Sequence, residues 1–350
     1  MDAIASDTGD DKSSCMTNPV LVEITRGETV ESIHRGSIAV LDAVGSVKLA
    51  LGDIETPVFS RSSLKPLQAL PLVESGAADA FGLGDEELAL ACASHSGEPM
   101  HIARIAAWLE RLGLGESDLA CGAHPSRYEP VAEAMIRRGE KPTRLFNNCS
   151  GKHAGFLSVA RHWDIATKGY ESVSHPVQQE VAKTLRELSD AKELPFGIDG
   201  CAAPNFALSL REFARAAARM AAPDGLSKER AMASRRLLAA MIAHPELVSG
   251  TGRVCATLMR ACRGRAAVKA GAEGFYAAWI PEKGLGVAIK IDDGAGRAAE
   301  TAIAATLDAL KLLDASEPAR SILRAPVFNT RGTVVGERRP AAALAKLTLA

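Results

Sequence analysis

Ser62 and Lys65 stand three positions apart in Arg61-Ser62-Ser63-Leu64-Lys65-Pro66. On the first turn of a helix that spacing puts both side chains on one face. A lysine held there out of water and near other cations loses its proton readily. It can then take the proton of the serine hydroxyl and leave an alkoxide able to attack a carbonyl carbon. The positive end of the helix favours the charge that develops. The pattern alone also fits an N-capping serine beside a surface lysine. Ser189-Asp190-Ala191-Lys192 has the same spacing and reads as a solvated helix end.

Other polar clusters could join this pair. Ser94-His95-Ser96-Gly97-Glu98 closes an apolar helix over Leu88 to Ala93, and hydroxyls, an imidazole and a carboxylate beside a glycine suit a site loop or an ordinary helix end. Lys269, just before the late strands, could line a cleft from an edge strand and supply a second cation or base. Asn147-Asn148-Cys149-Ser150-Gly151-Lys152-His153 and Gly197-Ile198-Asp199-Gly200-Cys201 together offer two thiols, an amine, an imidazole and a carboxylate. Such a set could hold a soft-ligand metal, zinc being the usual occupant, although lysine must be neutral to donate. Two buried structural cysteines are the alternative. His244 to Arg253 is a glycine-hydroxyl loop whose N–H groups could bind an anion such as a substrate carboxylate. It lacks the spacing of a nucleotide P-loop, so no nucleotide is expected.

The elements that must position these residues follow from hydrophobic pattern. Val20 to Ile24, Gly36 to Asp42 and Val47 to Leu51 read as strands, the last two joined by a turn at Gly45. From about Lys65 to Arg263 the chain is rich in alanine and leucine at helical spacing, as in Ile102, Ile105, Leu109 and Leu112, or Phe206, Leu208, Phe213 and Ala217. A short strand falls near Pro195 to Ile198. Gly274 to Ile280 and Leu285 to Ile291 form a late hairpin, followed by a helix over about 295–313 and a further hairpin over 324–338. Terminal strands that pair with each other would make one mixed or antiparallel sheet beside a helical lobe, with a site in the cleft between them. The expected division is a flexible tail over 1–18 and one catalytic domain over 19–350. Its sheet lobe covers about 19–60 and 268–350, and its helical lobe about 61–267.

The 350 residues are 47% hydrophobic, enough for a large core, and carry 41 Lys and Arg against 42 Asp and Glu. That balance argues against a nucleic-acid or anionic-membrane binder. No apolar run is long enough to span a bilayer, the N-terminus has no apolar signal core, and seven cysteines in so long a chain read as reduced thiols; a cytoplasmic protein is expected.

Taken in order, the Arg61–Pro66, Ser94–Glu98, Cys149–His153, Gly197–Cys201, His244-Pro245-Glu246 and Gly271-Ala272-Glu273-Gly274 segments resemble the Rhizobium-type (class 3) L-asparaginases, the asparaginase II family, over about Pro19 to Pro340. The resemblance implies an α+β fold of the serine β-lactamase and glutaminase kind. The Ser-x-x-Lys of the lactamases is matched, but Ser94-His95-Ser96 is not their Ser-Asp-Asn, and Ala270 stands where their Lys-Thr-Gly has threonine. The implied activity is hydrolysis of L-asparagine to L-aspartate and ammonia through a serine acyl-enzyme. The implied catalytic pairs are Ser62 with Lys65 and Ser94 with Lys269, with the two serines able to exchange roles. Zinc near the substrate is implied at Cys149, Lys152 and Cys201, and Arg61, His153 and Asp199 match pocket-lining positions, Arg61 as a partner for the substrate α-carboxylate. A homodimer is implied as well. The rivals are a glutaminase or other serine amidohydrolase of this fold, and a non-catalytic sensor of amino acids or zinc.

Overall fold

The computed structural model describes residues 17–347, so all but the last two residues of the expected N-terminal tail lie outside the described residues. β1 (Val20–Arg26), β2 (Thr29–Asp42) and β3 (Val47–Leu51) open the fold. β4 (Val58–Phe59), β5 (Phe196–Ile198) and β6 (Pro204–Leu208) make a small separate sheet in the order β4-β6-β5. β7 (Ala267–Ala270), β8 (Phe275–Ile280), β9 (Leu285–Ile291), β10 (Ala325–Phe328) and β11 (Val334–Pro340) return to the first sheet, whose order is β10-β11-β1-β2-β9-β8-β7 with β3 also on β2. The early and late strands therefore pair, with Val22 opposite Pro340 on β1 and β11 and Ile38 opposite Ile289 on β2 and β9. The protein is α+β, as expected, and every pair is antiparallel, so the sheet is antiparallel rather than mixed.

All six residues of β8 are buried, because helices cover both faces of the sheet centre. The Leu210–Ala221 helix lies across β2, β8 and β9, and the Gly296–Ala309 helix packs on β8, β9 and β11. Apart from the Leu210–Ala221 helix, the helices between 61 and 261 pack largely on one another. At their centre is Ser150–His162, in which every residue from Ser150 to Ala160 is buried. A helix without a solvent face must be enclosed by others, and those over Asp85–Ala91, Pro99–Arg111 and Pro176–Ser189 contact it.

Two elements differ from the sequence expectation. β2 begins at Thr29, seven residues before Gly36, after a turn at Gly27. Its front half is mostly exposed and so lacks an apolar alternation to read. Phe206 and Leu208 belong to β6, not to a helix; the helix starts only after Ser209, whose hydroxyl accepts the Glu212 N–H while the Glu212 carboxylate accepts that of Ser209. That capping box fixes the boundary which apolar spacing misplaced. Ser189-Asp190-Ala191-Lys192 is a helix end: the Ser189 hydroxyl donates back to the Leu185 carbonyl at 2.7 Å and Lys192 is exposed.

Candidate active site

Ser62 lies on a 3₁₀ turn, Arg61–Leu64, that leads straight from β4 into the Lys65–Gln68 helix. The turn is sharp: Arg61 has φ +51, a left-handed value that costs a non-glycine residue energy. Its capping residue Ser60 provides no side-chain bond, so the first amides of the turn, Ser62's included, are without the intrahelical partners that later residues have. The end of β7 presses against this turn. Ser63 donates from Oγ to the Lys269 carbonyl at 2.9 Å, and a Cβ on Gly271 would stand 2.5 Å from the Ser60 carbonyl oxygen. Only glycine admits that approach.

Lys65 and Lys269 are each 1% exposed. Lys65 Nζ donates to the Ala93 carbonyl at 2.6 Å, to Ser94 Oγ at 2.9 Å and to the Asn148 carbonyl at 3.2 Å. Lys269 Nζ donates to the same Ser94 Oγ at 2.8 Å and to the Ala270 carbonyl at 2.9 Å. Burial, and then the charge of Lys65, pull Lys269 down to about 7; burial lowers Lys65 too. The Ser94–Lys269 pair is thus in contact. The direct Ser62–Lys65 pair is not: the Ser62 hydroxyl is not among the partners of Lys65, which reaches Ser94 instead. A serine oxygen has one proton and two lone pairs, so Lys65, Ser94 and Lys269 form a continuous path for a proton. Ser62 and Ser94 both face one cavity of about 350 Å³.

Cys149 and Cys201 line the same cavity, and behind them Lys152 Nζ donates to Cys201 Sγ at 3.1 Å. The neighbouring Cys149 thiol and the Lys152 charge bring Cys201 down to about 4, a thiolate, and Cys201 together with burial pushes Cys149 up to about 12. Among the described residues no group of three or more His, Cys, Asp or Glu could hold a metal. A site here therefore needs the lysine as third donor. Two sulfurs and an amine suit a soft or borderline divalent ion such as zinc, on condition that Lys152, held protonated by the Cys201 thiolate, releases its proton on binding.

Arg61 and Asp199 meet each other. Arg61 donates from Nη2 to Asp199 Oδ1 at 2.9 Å and from Nε to Oδ2 at 3.3 Å, and Asn205 adds a bond to Oδ2 at 3.0 Å. Burial opposes ionisation of Asp199, but Arg61, Lys152 and Asn205 outweigh it and hold the carboxyl at about 2. His153 is placed away from the pocket. It is fully buried, its Nδ1 meets the Tyr170 hydroxyl at 2.6 Å, and burial, with Lys152, depresses it to about 3. It is a neutral core imidazole held by Tyr170 rather than a wall of the cavity.

The L-asparaginase II family pattern matches residues 22–340, nearly the whole chain. The chain belongs to the L-asparaginase II family. No curated protein matches it. Solved structures give weaker likenesses. A β-lactamase from Mycobacterium bovis is 16% identical over 75% of this chain and 89% of its own, with a TM-score of 0.40. Mglu in its native form is 17% identical over 81% and 62%, at 0.38. The simvastatin synthase LovD from Aspergillus terreus is 11% identical over 73% and 87%, at 0.37.

In this asparaginase II family member the cavity also has walls that motif reading passed over, His124, Arg127, Tyr276 and Glu300, beside Arg253 at the end of the glycine-hydroxyl loop. His124 and Arg127 share one loop and the others come from separate stretches of chain, so no single spacing announces them. The one legible hint is the His244–Arg253 loop. Glu98 pins it, accepting from the Thr251 N–H at 2.8 Å and the Thr251 hydroxyl at 2.6 Å. Gly250, at φ +135, is required there, because a Cβ would collide with Ser96 Oγ. No helix of the described residues is long and apolar enough to cross a membrane.

Proposed function

We propose that this protein hydrolyses L-asparagine to L-aspartate and ammonia through a serine acyl-enzyme, with Ser62 as nucleophile. The observation that carries the reading is the Ser94 hydroxyl bracketed by two desolvated lysines at 2.9 and 2.8 Å, with Ser62 opening onto the same cavity. Ser62 attacks the side-chain amide carbon and its proton enters the path at Lys65, whose amine, bonded at rest to Ala93, Ser94 and Asn148, must turn toward the Ser62 hydroxyl for this step. The proton passes through Ser94 to Lys269 and leaves on the amide nitrogen as ammonia; water then cleaves the ester by the same path reversed. The free amide at the start of the Arg61–Leu64 turn favours Ser62, since it can donate to the oxyanion. The Ser94 amide is already committed to the Val248 carbonyl at 2.9 Å. A second reading exchanges the serines, and what favours it is that both lysines touch Ser94 rather than Ser62.

The rate should depend on pH through Lys269. Below about 7 it is protonated and the path has no acceptor. We therefore expect kcat/KM for asparagine to climb with pH and level off above about pH 7, and a profile flat from about pH 5 to pH 9 would remove Lys269 from the proton path.

Cys149, Lys152 and Cys201 would hold zinc, which when bound supplies a positive charge beside the substrate pocket. Elemental analysis of protein purified without added metal should find zinc, and Cys201→Ala should abolish its binding in a chelator competition. Equal zinc affinity in that variant would return both cysteines to core filling. The reading also includes a cytoplasmic homodimer, to be checked by light scattering. Glutaminase activity is its nearest rival, separated by ammonia release from asparagine and glutamine side by side.

A further inference from the structure

We infer that Arg127 and Arg253 form the subsite for the substrate's free carboxylate, and that Arg61 is not its anchor. The inference rests on the amide-hydrolase reading and deepens it by assigning the substrate class, an amide that carries a carboxylate close to the scissile group.

A charge inventory of the cavity leads there. Two carboxylates line it, Asp199 and Glu300. Asp199 is taken in a two-point fork by Arg61, and Glu300 lies 3.6 Å from Arg338. A guanidinium whose fork already holds a carboxylate has little left to offer another. Arg127 and Arg253 line the same cavity, and among the described residues neither side chain has a hydrogen bond or an ion-pair contact, although the Arg253 charge acts on Glu300 across the cavity. Their charges act on one another: burial disfavours the charged form of Arg127, Cys149 opposes that, and the charge of Arg253 adds a smaller disfavouring effect. Two like charges turned onto one cavity repel, and an anion between them relieves that repulsion.

Both arginines are also built onto the loop that carries Ser94. The Arg127 N–H donates to the Ser96 carbonyl at 2.8 Å, and the adjacent Ser126 hydroxyl donates to the same oxygen at 2.9 Å. Ser96 Oγ donates to Glu98 at 2.5 Å, and Glu98 holds Thr251, two residues before Arg253. The Ser94–Glu98 segment thus sets the distance between the proton path and both cations. An L-asparagine bound by its carboxylate there is presented to the serines at a fixed depth.

Arg127→Gln, Arg253→Gln and the double variant should be assayed against L-asparagine and against L-asparagine amide, in which the carboxylate is capped. The double variant should raise KM for asparagine roughly 10- to 100-fold with kcat within about 3-fold, as expected for loss of charge-assisted bonds made equally in ground and transition states. The capped substrate should be poor for the unsubstituted protein and indifferent to both substitutions. Arg253→Lys should recover part of the affinity. L-aspartate binding by calorimetry should weaken in parallel, which reads the subsite without turnover. Unchanged KM for asparagine and unchanged aspartate affinity in the double variant, or in Arg253→Gln alone should the double variant unfold, would overturn the inference. Absence of turnover by the unsubstituted protein would instead sink the asparaginase reading.

Discussion

Ser62→Ala should lose asparagine hydrolysis by a factor on the order of 10³ or more in kcat, with the fold intact. Removal of a nucleophile leaves only what binding and the oxyanion donors supply, since no covalent intermediate can form. The fold should survive because the Ser62 hydroxyl takes no part in the hydrogen bonds that tie the turn to β7; the neighbouring Ser63 makes that bond. Ser94→Ala differs in kind. It breaks the path between Lys65 and Lys269 and should slow both half-reactions by about 10²- to 10⁴-fold, the range of general acid–base contributions, while still permitting slow acylation of Ser62. Parallel ammonia assays and thermal melts of the two variants check this. Near-normal turnover in Ser62→Ala would transfer the nucleophile's role to Ser94.

Lys269→Met should lose activity by about 10²- to 10⁴-fold and at the same time gain stability at neutral pH and below. Its amine is 1% exposed and has Lys65 as a neighbour through a shared hydroxyl. The folded-state value of about 7 lies below the ordinary 10.5. Between those values the unfolded chain binds more protons than the folded one, so stability rises with pH across the window. Below about pH 7 the folded protein bears the whole penalty of a charged amine out of water, on the order of a few kcal/mol. Methionine fills nearly the same space without the charge. Urea unfolding at about pH 6.5 and pH 9.5 should show the variant's advantage at the lower pH and its shrinkage at the higher. A variant less stable at both would mean that the bond to Ser94 outweighs the cost of burying the amine.

Much of this was legible in the residues, and what was not has physical causes. β8 and β9 announce themselves because both faces are buried and their apolar runs are unbroken. The position of Lys269 on an end strand facing the cleft was readable for the same reason. The front half of β2 was silent because its side chains face water. Spacing put Ser62 and Lys65 on one turn, but a lysine stem is long, and Nζ goes where acceptors are. Those acceptors are the Ala93 carbonyl, Ser94 and the Asn148 carbonyl, 28 to 83 positions away. The Cys149, Lys152 and Cys201 cluster was visible as motifs because its members lie in two dense polar stretches. His153 sits in one of them, yet its partner Tyr170 is a core residue that only the packing of the central helix reveals. Arg127 carried no local signal, and for Arg253 only the glycine-hydroxyl loop that it closes hinted at anion binding; long-range bonds to Ser96 and Glu98 tie both to the Ser94 loop.

The most direct test of the central claim is to mix the protein with L-asparagine, quench in acid within the first turnovers, and locate any aspartyl ester by mass spectrometry of the digested chain. Hydrolysis through Ser62 predicts ammonia release together with an aspartyl adduct confined to the peptide containing Ser62, enriched in Ser94→Ala and absent in Ser62→Ala. Ammonia release with the adduct on the Ser94 peptide, or with an undiminished rate in Ser62→Ala, would contradict it.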